Sequence, residues 1–426
     1  MIALRLIGRA KLYWGLAALF AFGVFSSPVT SRGHNIFLSS GNLSDVLRQV
    51  SITGLVAVGM TMVILIAGID LSVGSTLAFG SVVTALLLTE PGWSAGAVIA
   101  VPITLLVIFA GAAGVMRFVG TGLASRQQSR APALWRVWAP LGTGLVVTAV
   151  AAACVIPASG QKFGILSLLI LVPCVGIAVG AVNGTVIVLG RLQPFIVTLA
   201  TMVTLLGLAR IAAGQDSAVI AIYSGTNATA DIDLLRQVLW EVVPVPGLFF
   251  LGTLAVFTTV LKVTVFGRYL YALGGNEEAT RLSGIAVVPV KIATYAISGM
   301  LSALAAVLFV AQYRQGKPDA GTGLELDAIA AVVIGGTSLM GGRGTLAGTF
   351  VGVLIFGMLT NILELHDITT NYQLVLKGLI IIVTVLLQER DLAEVFAPVR
   401  NAMRRQQTTA AGEKGSPVLS ETRRIG

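Results

Sequence analysis

Runs of about 20 apolar residues recur along this chain, each long enough to cross a hydrocarbon layer of about 30 Å as one helix. Twelve are predicted, at residues 12–29, 51–67, 72–88, 95–116, 139–156, 165–189, 195–213, 247–265, 292–313, 326–339, 345–363 and 372–387. A chain built this way cannot cover its apolar surface in water, since 56% of its residues are hydrophobic and only 11% are charged. Soluble domains carry about 25% charged residues. The predicted class is therefore all-α, a polytopic bundle of transmembrane helices.

Charge gives the bundle an orientation. The net charge of +9 comes from basic residues scattered over short loops. No basic stripe interleaved with aromatics occurs, so nucleic acid is not expected as a partner, and the positive-inside rule accounts for the charge. Arg5, Arg9 and Lys11 precede the first run, and the poor small-residue cleavage pattern after it predicts an uncleaved span. Loop 117–138 carries Arg117, Arg126, Arg130 and Arg136 and no acid, whereas loop 214–245 carries Asp216, Asp231, Asp233 and Glu241 against Arg236. With the N-terminus inside, loops 117–138 and 266–291 and the C-terminal tail fall in the cytoplasm, and 214–245 falls outside. The tail beyond residue 410 is polar in composition and expected to be disordered. Cys154 and Cys174 lie in apolar runs and are expected as buried thiols. His34 and His366 stand alone, so no metal or other cofactor is predicted.

Glycines recur every fourth residue at Gly176, Gly180, Gly184 and again at Gly344, Gly348, Gly352. Such spacing lets helix backbones approach closely, within one chain or between two copies. A weaker echo pairs Gly68-Ile-Asp-Leu-Ser-Val-Gly74 with Gly336-Thr-Ser-Leu-Met-Gly-Gly342. Glycine-broken helices in corresponding halves point to the working region of a transporter. The run GGTSLMGGRGT (335–345) lacks the Lys-Ser/Thr pair and the preceding βα unit of a phosphate-binding loop, so nucleotide binding is not expected in this chain.

Asp70 admits two readings. A carboxylate at a helix centre costs about 2.5–3.5 kcal/mol on insertion scales, which places it either in a pathway or moving joint, or at a helix start beside Ser72 as a cap. Asn183, Thr198 and Thr201 carry donors and acceptors within spans, suited to a polar solute or to interhelical bonds. Gln193, Arg210, Asn361 and Gln373 share that ambiguity, while Glu325 and Asp327 suit the positive end of a helix. The polar run 268–285 stands apart. Asn276 can cap a helix that Glu277 and Glu278 open and Gly284 ends, with Ala279 and Leu282 on one face and Arg281 available to a partner acid. A helix of two turns is marginal alone in water, so it is expected to dock a soluble partner.

Four segments, GMTMVILIAGIDLSVGS (59–75), GRLQPFIVTLATM (190–202), GRYLYALGGNEEATRLSGI (267–285) and ELDAIAAVVIGGTSLMGGRGTLAGT (325–349), resemble in the same order the ribose- and xylose-type permeases of bacterial ABC importers, over most of residues 43–390. The resemblance implies a dimeric permease in the bacterial inner membrane, coupled to a cytoplasmic ABC ATPase and supplied by an extracytoplasmic sugar-binding protein. It assigns ATPase contact to the segment containing Glu278, Ala279 and Gly284, and no catalytic residue. Such permeases commonly have ten spans. Residues 95–160 are then expected as an inserted helix pair whose arginines can meet anionic lipid headgroups. Residues 1–390 are the expected permease domain and 391–426 a cytoplasmic tail. An ion-coupled carrier using Asp70 and Glu364, and a permease of the same type for a nucleoside, are the alternatives.

Overall fold

The computed structural model describes residues 2–124, 144–149, 162–214 and 218–389. Residues 125–138 of the basic loop, most of the span expected at 139–156, Cys154, Asp216 and the tail lie outside the described residues. The helices are α1 Ile2–Ser26, α2 Ser40–Leu65, α3 Val73–Thr89, α4 Ala95–Ala124, α5 Ile165–Gly190, α6 Pro194–Ala213, α7 Val245–Val263, α8 Val265–Gly275, α9 Glu277–Leu282, α10 Val287–Tyr313, α11 Leu324–Ile334, α12 Leu346–Leu365 and α13 Thr370–Glu389. Among the described residues, α2, α5, α6, α7, α10 and α12 are long and apolar enough to cross a membrane, and α3 and parts of α1 and α4 are shorter apolar helices. The chain is an all-α, multi-pass membrane protein. It forms two compact units, residues 1–373 and 374–426, the second opening with most of α13.

Helix starts follow local chemistry more than hydropathy. α2 begins well before the apolar run because the Ser39 side chain accepts from the Asn42 N–H at 3.3 Å, and its first turns carry an Asp45–Arg48 ion pair of 2.8 Å. Asp231, on the turn Ala230–Arg236, accepts from the Ile165 N–H at 2.7 Å and so starts α5 from a distant loop. That loop also holds two-residue strands. β1 (Ile220–Ala221) pairs antiparallel with β4 (Gln315–Gly316), and β2 (Val238–Leu239) with β3 (Val243–Pro244).

Both glycine triplets serve packing within the chain. A methyl at Gly176 or Gly180 would overlap the carbonyls of Gly299 or Tyr295 on α10, and one at Gly184 would lie 2.7 Å from Ile292 Cα. A methyl at Gly348 or Gly352 would overlap the carbonyls of Gly335 or Ala331. With no side chain between them, α5 and α10 meet backbone to backbone.

One expected span is absent. In place of a helix over 326–339 stands α11, with 11 residues, about 16 Å long and half of what a bilayer needs. Gly335 and Gly336, the latter at φ +86°, end it. Before it, residues 315–323 run without helix along α3: Ser81 Oγ donates to the Lys317 carbonyl at 3.0 Å and accepts from its N–H at 3.1 Å. Further along, Gly321 meets Gly74 backbone to backbone.

Candidate functional site

The turn between α2 and α3, residues 66–72, gathers the polar residues singled out in the spans. Ala67 adopts a left-handed conformation there, at φ +58°, and Asp70 is 1% exposed. Asp70 Oδ1 accepts from the Ser72 N–H at 3.0 Å and the Ser72 hydroxyl at 2.6 Å, while Oδ2 accepts from the Ser298 hydroxyl of α10 at 2.9 Å. Ser72 Oγ accepts from Asn183 Nδ2 on α5 at 2.9 Å, and Asn183 Oδ1 accepts from Thr201 Oγ1 on α6 at 2.6 Å. One turn earlier on α6, Thr198 Oγ1 accepts from the Leu71 N–H at 3.1 Å and donates back to the Pro194 carbonyl at 3.1 Å. Asp70 thus bonds Ser72, the residue before α3, and also reaches across to α10, with three hydrogen bonds in all.

No cation bonds Asp70 among the described residues. Three donors and the positive end of α3 take that place. Hydrogen bonds to a charged group contribute about 1.5–3 kcal/mol each, enough together to offset an insertion cost of about 3 kcal/mol. Asp70, Asn183 and Thr201 are linked by hydrogen bonds through Ser72 and on to Ser298, which sequence reading did not single out, while Thr198 bonds the backbone of the same turn at Leu71. A second carboxylate lies close by: Glu325, in the first turn of α11, sits over Gly74 at the start of α3, where a methyl would overlap it.

The polar run 268–285 folds as two helices with an abrupt corner. Asn276 Oδ1 accepts from the Ala279 N–H at 2.9 Å, Glu277 and Glu278 form the first turn of α9, and Gly284 at φ +79° follows its end. Lys291 of α10 donates to Glu277 at 2.7 Å and fastens α9 to the longer helix. Leu282 is 79% exposed, and Ala279 is exposed beside it. Thr280 turns inward at 6% exposure and bonds the Asn276 carbonyl at 2.7 Å. Arg281 Nη2 donates to both carboxylate oxygens of Glu278, one turn earlier, at 2.7 and 2.8 Å, an exposed pair within the helix.

These two regions meet a third at one point. Gly274, at the end of α8, lies so close to the Leu65 carbonyl and the Gly342 N–H that a methyl would overlap both. The Gly342 N–H donates to the Leu65 carbonyl at 2.9 Å, and Tyr271 Oη donates to the Gly344 carbonyl at 2.9 Å. A methyl on Gly341 would stand 2.9 Å from Ala67 Cβ and 3.0 Å from the Gly274 carbonyl. Leu65 and Ala67, just before the first echoing motif, and Gly341 and Gly342 of the second therefore meet at the end of the helix that leads into α9.

Away from this point the picture is simpler. α10, with 27 residues and about 40 Å long, separates α9 from the strands of the 218–244 loop, matching the opposite charge of those two loops. The groove between α7 and α10, about 440 Å³ and lined by Leu248, Phe249, Gly252, Val256, Phe257 and Leu304 among others, is apolar and holds none of the predicted residues. Glu364 is exposed in the last turn of α12, while Thr345 at the other end of that helix adjoins the Gly344–Tyr271 bond. It is not assembled with Asp70 into a common acidic site.

A helical bundle with two interruptions joined to one outward helix has the architecture of a membrane permease component. Over residues 42–129 and 137–385 the chain matches, and belongs to, the family described as the branched-chain amino acid transport system, permease component. It is 37% identical to the ribose import permease protein RbsC of Haemophilus influenzae, over 82% of this chain and 85% of that one. Identity is 34% to RbsC of Escherichia coli K12, over 88% and 93% of the two chains, and 32% to the xylose transport system permease protein XylH of the same organism, over 87% and 89%. No solved structure matches it.

Proposed function

We propose that this chain is the membrane-spanning subunit of an ATP-driven importer for a pentose or related monosaccharide, in the bacterial inner membrane. The sugars named for its relatives support the substrate class. The observation that carries the mechanism is the backbone convergence of Gly274, Leu65 and Gly342 beside the cap of α9. A cytoplasmic ATPase docks on Ala279 and Leu282. Closure of that ATPase moves α8 and α9 as one piece, and the displacement reaches the α2–α3 turn and the α11–α12 loop together. The Asp70 cluster is the joint on which α6 shifts against α3, α5 and α10, and solute passes along α6 between two copies of the chain. A separate extracytoplasmic binding protein delivers that solute to the face bearing the 218–244 loop. The driving energy is the difference in partner affinity between the two states.

The test is uptake of labelled ribose or xylose into vesicles holding this chain with its ATPase and binding protein, the membrane potential being collapsed. ATP-dependent uptake is expected. Uptake that needs the potential and ignores ATP identifies an ion-coupled carrier, and ATP-dependent uptake of a nucleoside alone replaces the substrate class.

A further inference from the structure

The exposed face of α9 carries one cation, Arg281, held in a solvent-exposed pair with Glu278. Another stands next to it. In the α11–α12 loop Arg343 is exposed, and among the described residues its guanidinium pairs with no carboxylate. Met340, three residues before it, is 72% exposed. A single exposed apolar residue is ordinary. The placement of this one is not, since the loop is pinned on both sides of it. The Met340 N–H bonds Ser338 Oγ at 3.2 Å, the Ser338 N–H bonds the Arg343 carbonyl at 2.9 Å, and Gly341 and Gly342 lie against Gly274 and Gly275. Gly275 directly precedes Asn276, the cap of α9. Met340 and Leu282 are thus exposed apolar side chains on two segments joined through the backbone contact of Gly341 and Gly342 with Gly274 and Gly275, and the exposed Arg343 lies in the same loop as Met340. Methionine repacks readily against a partner's surface, and an arginine at such a rim selects for a carboxylate.

We infer that the 338–344 loop is a second contact for the soluble ATPase, with Met340 entering an apolar pocket and Arg343 meeting an acid of that partner. This rests on the docking role proposed for α9 and adds to it. The ATPase would press the α11–α12 loop directly, besides moving it through α8, and the Gly342–Leu65 bond would carry that pressure into the α2–α3 turn.

The experiment uses the full chain co-expressed with its ATPase, with Cys154 and Cys174 replaced by Ser. Ala279→Cys and Met340→Cys variants are treated with a short cysteine-to-lysine cross-linker, and capture of the ATPase subunit is scored. Capture at both positions is expected. Capture at Ala279→Cys alone overturns the second contact and leaves α9 docking intact. Capture at Met340→Cys alone supports the loop contact and overturns the role of α9. Capture at neither overturns both. In a parallel measurement Arg343→Glu is expected to weaken ATPase binding about tenfold, while Arg343→Lys retains most of it. Unchanged affinity in Arg343→Glu removes the cation from the proposal.

Discussion

Asp70 and Glu278 are both carboxylates on short segments that interrupt longer helices, and their surroundings are opposite. Asp70 is buried, and its oxygens face Ser72 and Ser298. Glu278 is exposed and, among the described residues, bonds only Arg281, within the same six-residue helix. The first links five helices: α2 and α3 at their junction, α10, and through Ser72, Asn183 and Thr201, α5 and α6. The second lies on a surface that is exposed among the described residues. Acidity alone distinguishes neither role. The direction in which the bonds run does.

Variants at the two carboxylates put this contrast to the test. Asp70→Ala leaves the Ser72 N–H and two hydroxyls without their acceptor, and about 3 kcal/mol of stability is expected to go with it, read as a lowered Tm in detergent. An unchanged Tm sinks the joint. Glu278→Lys breaks an exposed pair that adds little to stability, so Tm should hardly move while partner-stimulated ATP hydrolysis is lost. Stimulation that survives removes Glu278 from the docking surface.

The smallest effect belongs to Asp233, an exposed acid whose bond runs to an equally exposed residue at the end of α10, Arg314, at 2.9 Å. The Ser224 hydroxyl and then the Arg314 guanidinium hold its carboxyl below the ordinary carboxylate range. A depressed value contributes stability above the unfolded pKa and loses it as pH falls through the folded one. Asp233→Asn should therefore flatten a slight drop in Tm on acidification below about pH 4. An equal drop in the variant assigns the pH dependence elsewhere.

Sequence announced the exposed region more fully than the buried one. Asn276, the paired acids and Gly284 are local signals, and α9 follows them residue for residue. The pairing of Arg281 with Glu278 was equally local, one helical turn apart, but the expectation of a partner acid passed it over. The inward turn of Thr280 depended on how α9 lies against α10, which no local pattern encodes. In the buried cluster, Asp70 and Asn183 stood out as polar residues in apolar runs and Ser72 as the neighbour of a possible cap, whereas Ser298 did not, because serine is common in membrane helices for packing alone. A usable sign was there: Ser298, Gly299, Ser302 and Ala303 form a small-residue face on α10 opposite Gly176. The half-length of α11 was hidden for a different reason. Gly335 and Gly336 stop the helix while Thr-Ser-Leu-Met continues a run that a hydropathy window averages through. The extended segment beside α3 is held by contacts more than 200 residues apart in sequence, such as Ser81 with Lys317, and local reading has no access to those.

Where Gly274, Gly341 and Gly342 stack on Leu65 and Ala67, main chain rests on main chain. Side chains in a packed interior can take up a small shift by changing rotamer, but a peptide plane has no rotamers to change, and close-packed matter compresses little. A nudge of a few tenths of an ångström entering on one side of that stack has nowhere to dissipate. Such a bearing suits a machine that must convert a modest stroke in water into the parting of helices in oil.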